Sequence, residues 1–402
     1  MILKFKRHLE DILKDAVKTF PAIFISGARQ TGKSTLSIEL CSNYITFDDI
    51  NAYLSAKNDP VNFIMQIKTP VVLDEVQKVP EVFEAIKKRI DTNRKPNEFI
   101  LTGSVNILRF RKVKESLAGR LAIFELYPLS IFEVFNKKEN LIEKIFSGKF
   151  LEESRSNLSF DDLLGFILKG GFPEIHKIES EKMRYIWFSS YVSTYIEKDV
   201  LELGEIRNID KFLTLLNIIS SYSGNLINKS KISQFAGIDN KTLDYYLNLL
   251  QLIYQIKFLR PFSQNVKKRF IKTPKIYFND TGLLCYLLGI TSINELKKHI
   301  YFGNIVETFM FNEFLKHSAC SQYPVEIFFY RTTDKKEIDF ILKYRGEYIA
   351  VELKTSSTVS EKDFLPMKDI YSLLKYGIVL YKGDRVFSFG DRFFAVPFKN
   401  IF

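Results

Sequence analysis

Apolar runs recur along the first third of the chain at positions 22–26, 44–47, 71–73, 99–102 and 122–126, with amphipathic segments between them. Near-continuous apolar runs, in place of strict alternation, are the mark of strands covered on both faces, so the pattern predicts a parallel α/β sheet ending near Pro128. Ahead of the first run, Leu9, Ile12, Leu13, Ala16, Val17 and Phe20 share one helical face.

From Pro128 to about Gly204 the pattern turns helical and is broken at Gly170-Gly171-Phe172-Pro173, where Gly and Pro enforce a turn. Three helical segments follow between Ile209 and Phe262. Positions 231–235, a turn at Gly237 and positions 241–250 read as helix-turn-helix, with Asp239 capping the last helix and 252–262 forming a wing. Positions 300–317 read as a further helix, and strands dominate from Ile327 onward. The expected division is a sheet domain over 1–135, a helical connector over 136–205, a winged-helix-like domain over 206–265 and a second α/β domain over 266–402.

That division agrees with the length. A chain of 402 residues exceeds the roughly 250 to 300 at which one core stops growing. Hydrophobic residues at 46% and charged ones at 26% give a globular balance. The net charge of +11 favours an anionic partner, with DNA or other nucleic acid the natural candidate and a lysine-rich, solvated surface the bland alternative. Positions 266–275, with Lys267, Lys268, Arg269, Lys272 and Lys275, hold five cations and no acid. Cys41, Cys285 and Cys320 are scattered and lack metal-ligand spacing, which fits a reducing cytoplasm. No apolar stretch approaches the roughly 20 residues of a membrane span, and the N-terminus has no signal-peptide core.

The strongest chemical signal is Gly27-Ala28-Arg29-Gln30-Thr31-Gly32-Lys33-Ser34, which fits GxxxxGK[ST] between a strand and a helix that continues through Thr35. Glycines there let backbone N–H groups turn toward phosphates at a helix N-terminus, Lys33 reaches the β- and γ-phosphates of ATP, and Ser34 ligates Mg²⁺. Val71-Val72-Leu73-Asp74-Glu75 delivers the expected acids, Asp74 to the magnesium side and Glu75 to the attacking water; the alternative is an ordinary acid at a helix start. Leu101-Thr102-Gly103-Ser104 places the Ser104 hydroxyl beside the γ-phosphate. Arg120, in Ala118-Gly119-Arg120, could add positive charge in the transition state from within the subunit or from a neighbour in a homo-oligomer; a surface Arg is nearly as good a reading.

With Tyr127-Pro128-Leu129-Ser130, Gly170-Gly171-Phe172-Pro173, Tyr195-Ile196-Glu197-Lys198-Asp199-Val200, Tyr277-Phe278-Asn279-Asp280-Thr281-Gly282-Leu283 and Val351-Glu352-Leu353-Lys354, the ordered set resembles a family. That family comprises bacterial and archaeal AAA ATPases fused to an uncharacterised C-terminal domain related to restriction endonucleases. The resemblance covers nearly the whole chain and implies an AAA-type P-loop core, a helical and winged-helix segment, and a nuclease-like α/β fold. Ala28 and Ser34 stand where Pro and Thr are common, and Phe329-Tyr330-Arg331 lacks the Trp often seen before Arg.

In the C-terminal region a tight turn at Arg345-Gly346 would set Asp339 opposite Glu352, with Lys354 on the same face. Facing like charges are destabilising, so a second Mg²⁺ or Mn²⁺ between them would give the arrangement a reason, with Lys354 orienting the water. The set resembles the Asp…Glu-x-Lys motif of metal-dependent nucleases, and Glu307 matches the extra acid of resolvase-like members. The alternatives are a solvated hairpin in which Lys354 neutralises Glu352, and a nuclease fold that binds phosphodiesters without cutting. Two functions follow: ATP-dependent action on nucleic acid, or an ATP-gated switch whose C-terminal parts bind protein or occlude each other.

Overall fold

In the computed structural model the five early runs are strands β1 (Ala22–Ser26), β2 (Tyr44–Thr46), β3 (Val71–Asp74), β4 (Phe99–Gly103) and β5 (Leu121–Glu125), all parallel, in the order β2-β3-β4-β1-β5. The residues described are 5–106, 119–152, 158–204, 206, 208–263 and 273–402. The central strands β1, β3 and β4 are buried at every position, whereas the edges β2 and β5 are mostly half-buried. One face of the sheet packs Phe24, Leu73 and Leu101 against Phe47, Phe83 and Ile86. The helix Leu9–Thr19 buries Leu9, Leu13 and Ala16, the apolar face its spacing predicted.

The chain forms two compact units. The first joins Met1–Pro128 with Ser193–Gly204 and Asn248–Gln255; the second joins Leu129–Val192, Glu205–Leu247 and Ile256–Phe402. These limits depart from a simple succession of four domains, because two short helical stretches belong to the N-terminal sheet unit.

The second unit contains a three-stranded antiparallel sheet, β6 (Asn225–Leu226), β7 (Ile256–Leu259) and β8 (Lys275–Phe278), in the order β6-β8-β7. Near it lie the helices Ile209–Ser220 and Lys229–Ala236 and the start of Asn240–Leu252, with a left-handed turn at Gly237. Asp239 accepts from the Thr242 backbone at 2.8 Å and from its hydroxyl at 2.9 Å, capping the last helix as its position predicts. Within the stretch expected to form a wing, β7 pairs with β8, whose first residue, Lys275, ends the basic run and is buried. Lys267, Lys268, Arg269 and Lys272 lie outside the described residues.

A six-stranded mixed sheet completes the unit: β9 (Val325–Arg331), β10 (Glu337–Tyr344), β11 (Glu347–Lys354), β12 (Leu374–Tyr381), β13 (Phe387–Ser388) and β14 (Phe393–Pro397), in the order β13-β14-β12-β11-β10-β9. Strands β10 and β11 pair from Phe340↔Val351 to Tyr344↔Glu347. Arg345 and Gly346 both have positive φ, 52° and 83°, the geometry a two-residue hairpin turn requires. The helix Phe302–Ala319 is buried on nearly all sides, carrying Glu307, Glu313, Lys316 and His317 inward with Val306, Phe309 and Phe314.

Two of the sequence motifs dock on each other here. The Asp280 carboxylate accepts from the backbone N–H groups of Gly171 at 2.7 Å and Leu283 at 2.9 Å. A Cβ on Gly282 would lie 2.3 Å from the Lys169 carbonyl oxygen. Gly282→Ala should therefore destabilise the protein by about 1–3 kcal/mol, as overpacking does. Gly303→Ala, where a Cβ meets nothing within 4 Å and the backbone is helical, should stabilise by about 0.5–1 kcal/mol, and urea unfolding of the two variants checks the contrast.

Candidate functional site

The loop between β1 and the helix Lys33–Leu40 curls around its own backbone. Gly27 has φ 146°, and a Cβ there would fall 2.3 Å from the Leu126 carbonyl oxygen, so only glycine fits. Gln30 and Gly32 are also left-handed, at 63° and 92°. Gly32 caps the helix without a side-chain hydrogen bond, leaving the first-turn N–H groups directed at the loop. The Lys33 ammonium is buried and donates to the Ala28 carbonyl at 2.8 Å; Thr31 Oγ1 donates to the same oxygen at 2.9 Å. Burial pulls the Lys33 pKa down to about 8 against the opposing pull of Glu75 and Asp74. Thr35 is exposed on the following helix.

The acids arrive on β3. Asp74 is buried, and its Oδ2 accepts from Ser34 Oγ at 2.9 Å and from the Tyr44 hydroxyl. Its Oδ1 accepts from Thr102 Oγ1. Glu75 follows with φ 57°, a left-handed conformation uncommon for a residue with a side chain and the kind of strain found at functional sites. The Glu75 carboxylate takes a hydrogen bond from Gln77 Nε2 and one from Ser104 Oγ at 3.3 Å, and Gln77 also donates to Ser104 at 3.1 Å. Strand β4 lies between β1 and β3, which is why Ser104, just beyond β4, meets the acid from β3.

Arg120 is not brought to this end of the sheet. It precedes β5, whose Leu121 pairs with Ala22, while Ser26, next to the loop, pairs with Glu125; four residues of strand, about 13 Å, separate the two levels. There Arg120 forms a two-point ion pair with Asp91 at 2.6 and 2.9 Å. The in-subunit expectation for Arg120 is thereby corrected, because the parallel register puts it at the opposite end of the strands.

Several side chains at the loop have contacts that the motif does not account for. Arg7 is buried and clamps the loop from the N-terminus, donating to Thr31 O and to Tyr127 O at 2.6 Å each. Arg29 Nε and Nη2 each lie 2.7 Å from Asp199 Oδ1, and Gln30 donates to the Tyr195 hydroxyl at 2.8 Å. Tyr195 and Asp199 belong to one of the family-like motifs, which the sequence left without a role.

In the second unit the hairpin ladder ends at Phe340↔Val351, and Asp339 and Glu352 meet just beyond it. The Asp339 N–H donates to Glu352 Oε2 at 3.3 Å, and the Leu353 N–H to Asp339 Oδ2 at 2.9 Å. Lys354 sits 3.4 Å from Glu352 and 3.6 Å from Asp363. The cation among these acids is Lys275: its Nζ lies 2.7 Å from Glu307, 2.5 Å from Glu337 and 4.0 Å from Asp339. Tyr277 adds a 2.5 Å hydrogen bond to Glu307. Among the described residues no group of three or more His, Cys, Asp or Glu side chains is arranged to hold a metal ion. The expected second Mg²⁺ or Mn²⁺ on Glu307, Asp339 and Glu352 is therefore not supported; the buried Lys275 ammonium offsets the charge of Glu307, Glu337 and Asp339. Burial raises the Glu307 pKa to about 7 and holds Asp339 and Glu352 above their usual range.

On the helix Asn240–Leu252, Lys241 and Tyr245 are exposed, whereas Tyr246 is buried against Phe212 with ring centroids 5.4 Å apart. Of the four residues 241, 242, 245 and 246 expected on a groove-facing surface, Tyr246 points into the core and Thr242 is engaged with Asp239. No helix among the described residues is long and apolar enough to cross a membrane.

Residues 19–135 match an AAA domain, 160–294 a domain of unknown function (DUF8612) and 302–401 another (DUF4143). An uncharacterized protein of Mycobacterium tuberculosis is 26% identical over 392 residues, spanning 97% of this chain and 82% of that one. One of Methanocaldococcus jannaschii is 28% identical over 364 residues, spanning 84% and 76%. Among solved structures, a Walker-type ATPase of Pyrococcus abyssi aligns with TM-score 0.45 and 15% identity, covering 71% of this chain and 96% of that one.

The Lys275 cluster makes a stability prediction. Lys275→Met leaves buried carboxylates without their cation and should cost about 3–5 kcal/mol near pH 8. The raised pKa of Glu307 means that its carboxyl binds a proton in the folded state between about pH 4.5 and 7, so neutralisation on acidification relieves the repulsion. The deficit should shrink as pH falls from 8 to 5.5 in urea titrations; a deficit independent of pH would mean that packing, not charge, is what Lys275 supplies.

Proposed function

We propose that the first unit, an AAA-type P-loop domain, binds and hydrolyses ATP, and that its nucleotide state governs nucleic-acid binding by the second unit, without cleavage. One observation carries the hydrolytic reading: Ser34, Asp74, Glu75 and Ser104, from three different strand ends, meet at one end of the sheet. The Ser34 hydroxyl and an Asp74 carboxylate oxygen, 2.9 Å apart, are hard oxygen donors suited to Mg²⁺, Ser34 directly and Asp74 through the ion's water shell. When bound, the ion neutralises charge on the phosphate oxygens.

The chain's own groups divide the remaining work. Loop N–H groups and Lys33 hold the β- and γ-phosphates, and the Lys33 ammonium exchanges its Ala28 carbonyl partner for phosphate oxygen. Glu75, fixed by Gln77 and Ser104, orients the water for in-line attack. The match of residues 19–135 to an AAA domain supports this reading.

Three features support nucleic acid as the anionic partner: the net charge of +11, the exposed Lys241 and Tyr245, and the helix-turn-helix arrangement that presents them. Lys275 among the acids favours binding over metal-dependent cutting. The rival reading, a switch whose second unit binds protein, has no need of a salt-dependent DNA affinity.

Lys33→Ala should abolish nucleotide binding or hydrolysis, while Glu75→Gln should bind ATP and turn over at least about 100-fold more slowly, as loss of a positioned base implies. Normal steady-state turnover by Glu75→Gln would remove it from the mechanism. DNA affinity should fall with salt by about 0.9 logarithmic units per phosphate contacted, and Lys241→Glu should reduce that slope by about one contact. A flat salt response would favour the protein-binding switch, and Mn²⁺-dependent cleavage lost in Asp339→Ala would overturn the non-cutting reading.

A further inference from the structure

The phosphate loop carries a second cation besides Lys33. Arg29 follows Ala28, whose carbonyl takes the Lys33 ammonium, and its charge is close enough to contribute to the depression of the Lys33 pKa. Its guanidinium is held from two directions. Nε and Nη2 both contact Asp199 Oδ1 at 2.7 Å, and the guanidinium carbon lies 5.7 Å from the Tyr195 ring centroid. The Asp199 side chain is only 6% exposed and that of Arg29 15%. Tyr195 sits in a π-helical turn, Val192–Ile196, that leads into the helix Glu197–Leu203; such turns re-aim side chains and are frequent at functional sites. Gln30, the next loop residue, is tied to the same tyrosine through its hydroxyl.

A buried carboxylate beside a triphosphate site would repel the nucleotide unless its charge is offset there. Asp199 therefore makes physical sense as the group that holds a guanidinium still, and a guanidinium presents five donors in one plane, enough for a carboxylate and a phosphate oxygen together. Arg120 lies at the other end of its strand, paired with Asp91.

We infer that Arg29 contacts the γ-phosphoryl group in cis and stabilises its transition state, and that Asp199, with Tyr195, is the positioning residue that aims it. This rests on the hydrolytic reading above. In the step concerned, the water oxygen bonds to the γ-phosphorus as the bond from that phosphorus to the bridging oxygen breaks. The electron pair leaves with ADP, and the water's proton passes through Glu75 to inorganic phosphate. Charge builds on the γ-phosphoryl and bridging oxygens, where a fixed guanidinium acts more strongly than in the ground state.

The test is steady-state hydrolysis by the full chain, with fluorescent ATP and ADP analogues for binding and thermal unfolding for folding. Arginines in this role contribute about 10³–10⁵ in kcat, so Arg29→Ala should lose at least about 100-fold in kcat while ADP affinity stays within about threefold. Arg29→Lys should recover part of the rate, and millimolar guanidinium should rescue part of the Arg29→Ala rate and none of the Glu75→Gln rate. Asp199→Asn should lower kcat about tenfold with KM nearly constant, since it loosens the aim without removing the cation. Unchanged kcat in Arg29→Ala, or equal loss of ATP and ADP affinity at constant kcat, would make Arg29 a structural staple and overturn the inference. Unchanged kcat in Asp199→Asn would overturn the positioning role. Failure of the wild-type chain to hydrolyse bound ATP would overturn the hydrolytic reading itself, and this one with it, an outcome distinct from loss confined to the Arg29 variants.

Discussion

The Asp74 carboxylate is buried at the end of a central strand, where an ionised group without partners would be prohibitively costly. It is tolerated because three hydroxyls converge on it: Ser34 from the helix after β1, Tyr44 from β2 and Thr102 from β4. Each comes from a different strand or from the helix that follows one, so the contact can form only when the parallel sheet has its observed order. The same order brings Ser104 to Glu75 and leaves Lys33 in the field of both acids. Loop, acids and hydroxyls are thus one hydrogen-bonded unit, and the strand order is its precondition.

Cations paired with acids occur in both units, with different consequences. Lys275 contacts two carboxylates directly and a third at 4.0 Å inside the second unit, and Glu352 stands next to the third through a backbone contact. These acids hold Lys275 protonated against its burial, whereas burial still keeps Glu307 above the ordinary carboxylate range. Arg29 pairs with Asp199 and is itself part of the phosphate loop. Several acids around one lysine leave it committed to them.

Much of the architecture was legible because its signals are local. The five apolar runs became the five strands of one sheet, Asp239 capped its helix, and Arg345-Gly346 took the paired left-handed conformations of a tight hairpin. Gly27 could be singled out from the motif, although the reason, a carbonyl 2.3 Å from where a Cβ would stand, belongs to the fold. Period, turn chemistry and capping all operate within a few residues, so a sequence displays them directly.

What the sequence determined by itself is the existence of a phosphate loop, an acid-bearing strand behind it and an acidic hairpin near the C-terminus. What only the tertiary structure decided is which distant side chains complete them. Asp199 meets Arg29 across 170 residues, Lys275 is buried among Glu307, Glu337 and Asp339, Arg120 lies at the wrong end of its strand, and Tyr246 turns inward. The physical reason is common to all four. A motif specifies the backbone on which a charge is mounted, but a long charged or aromatic side chain settles wherever burial, strand register and opposite charge are met together, and those conditions exist only once the sheets are assembled.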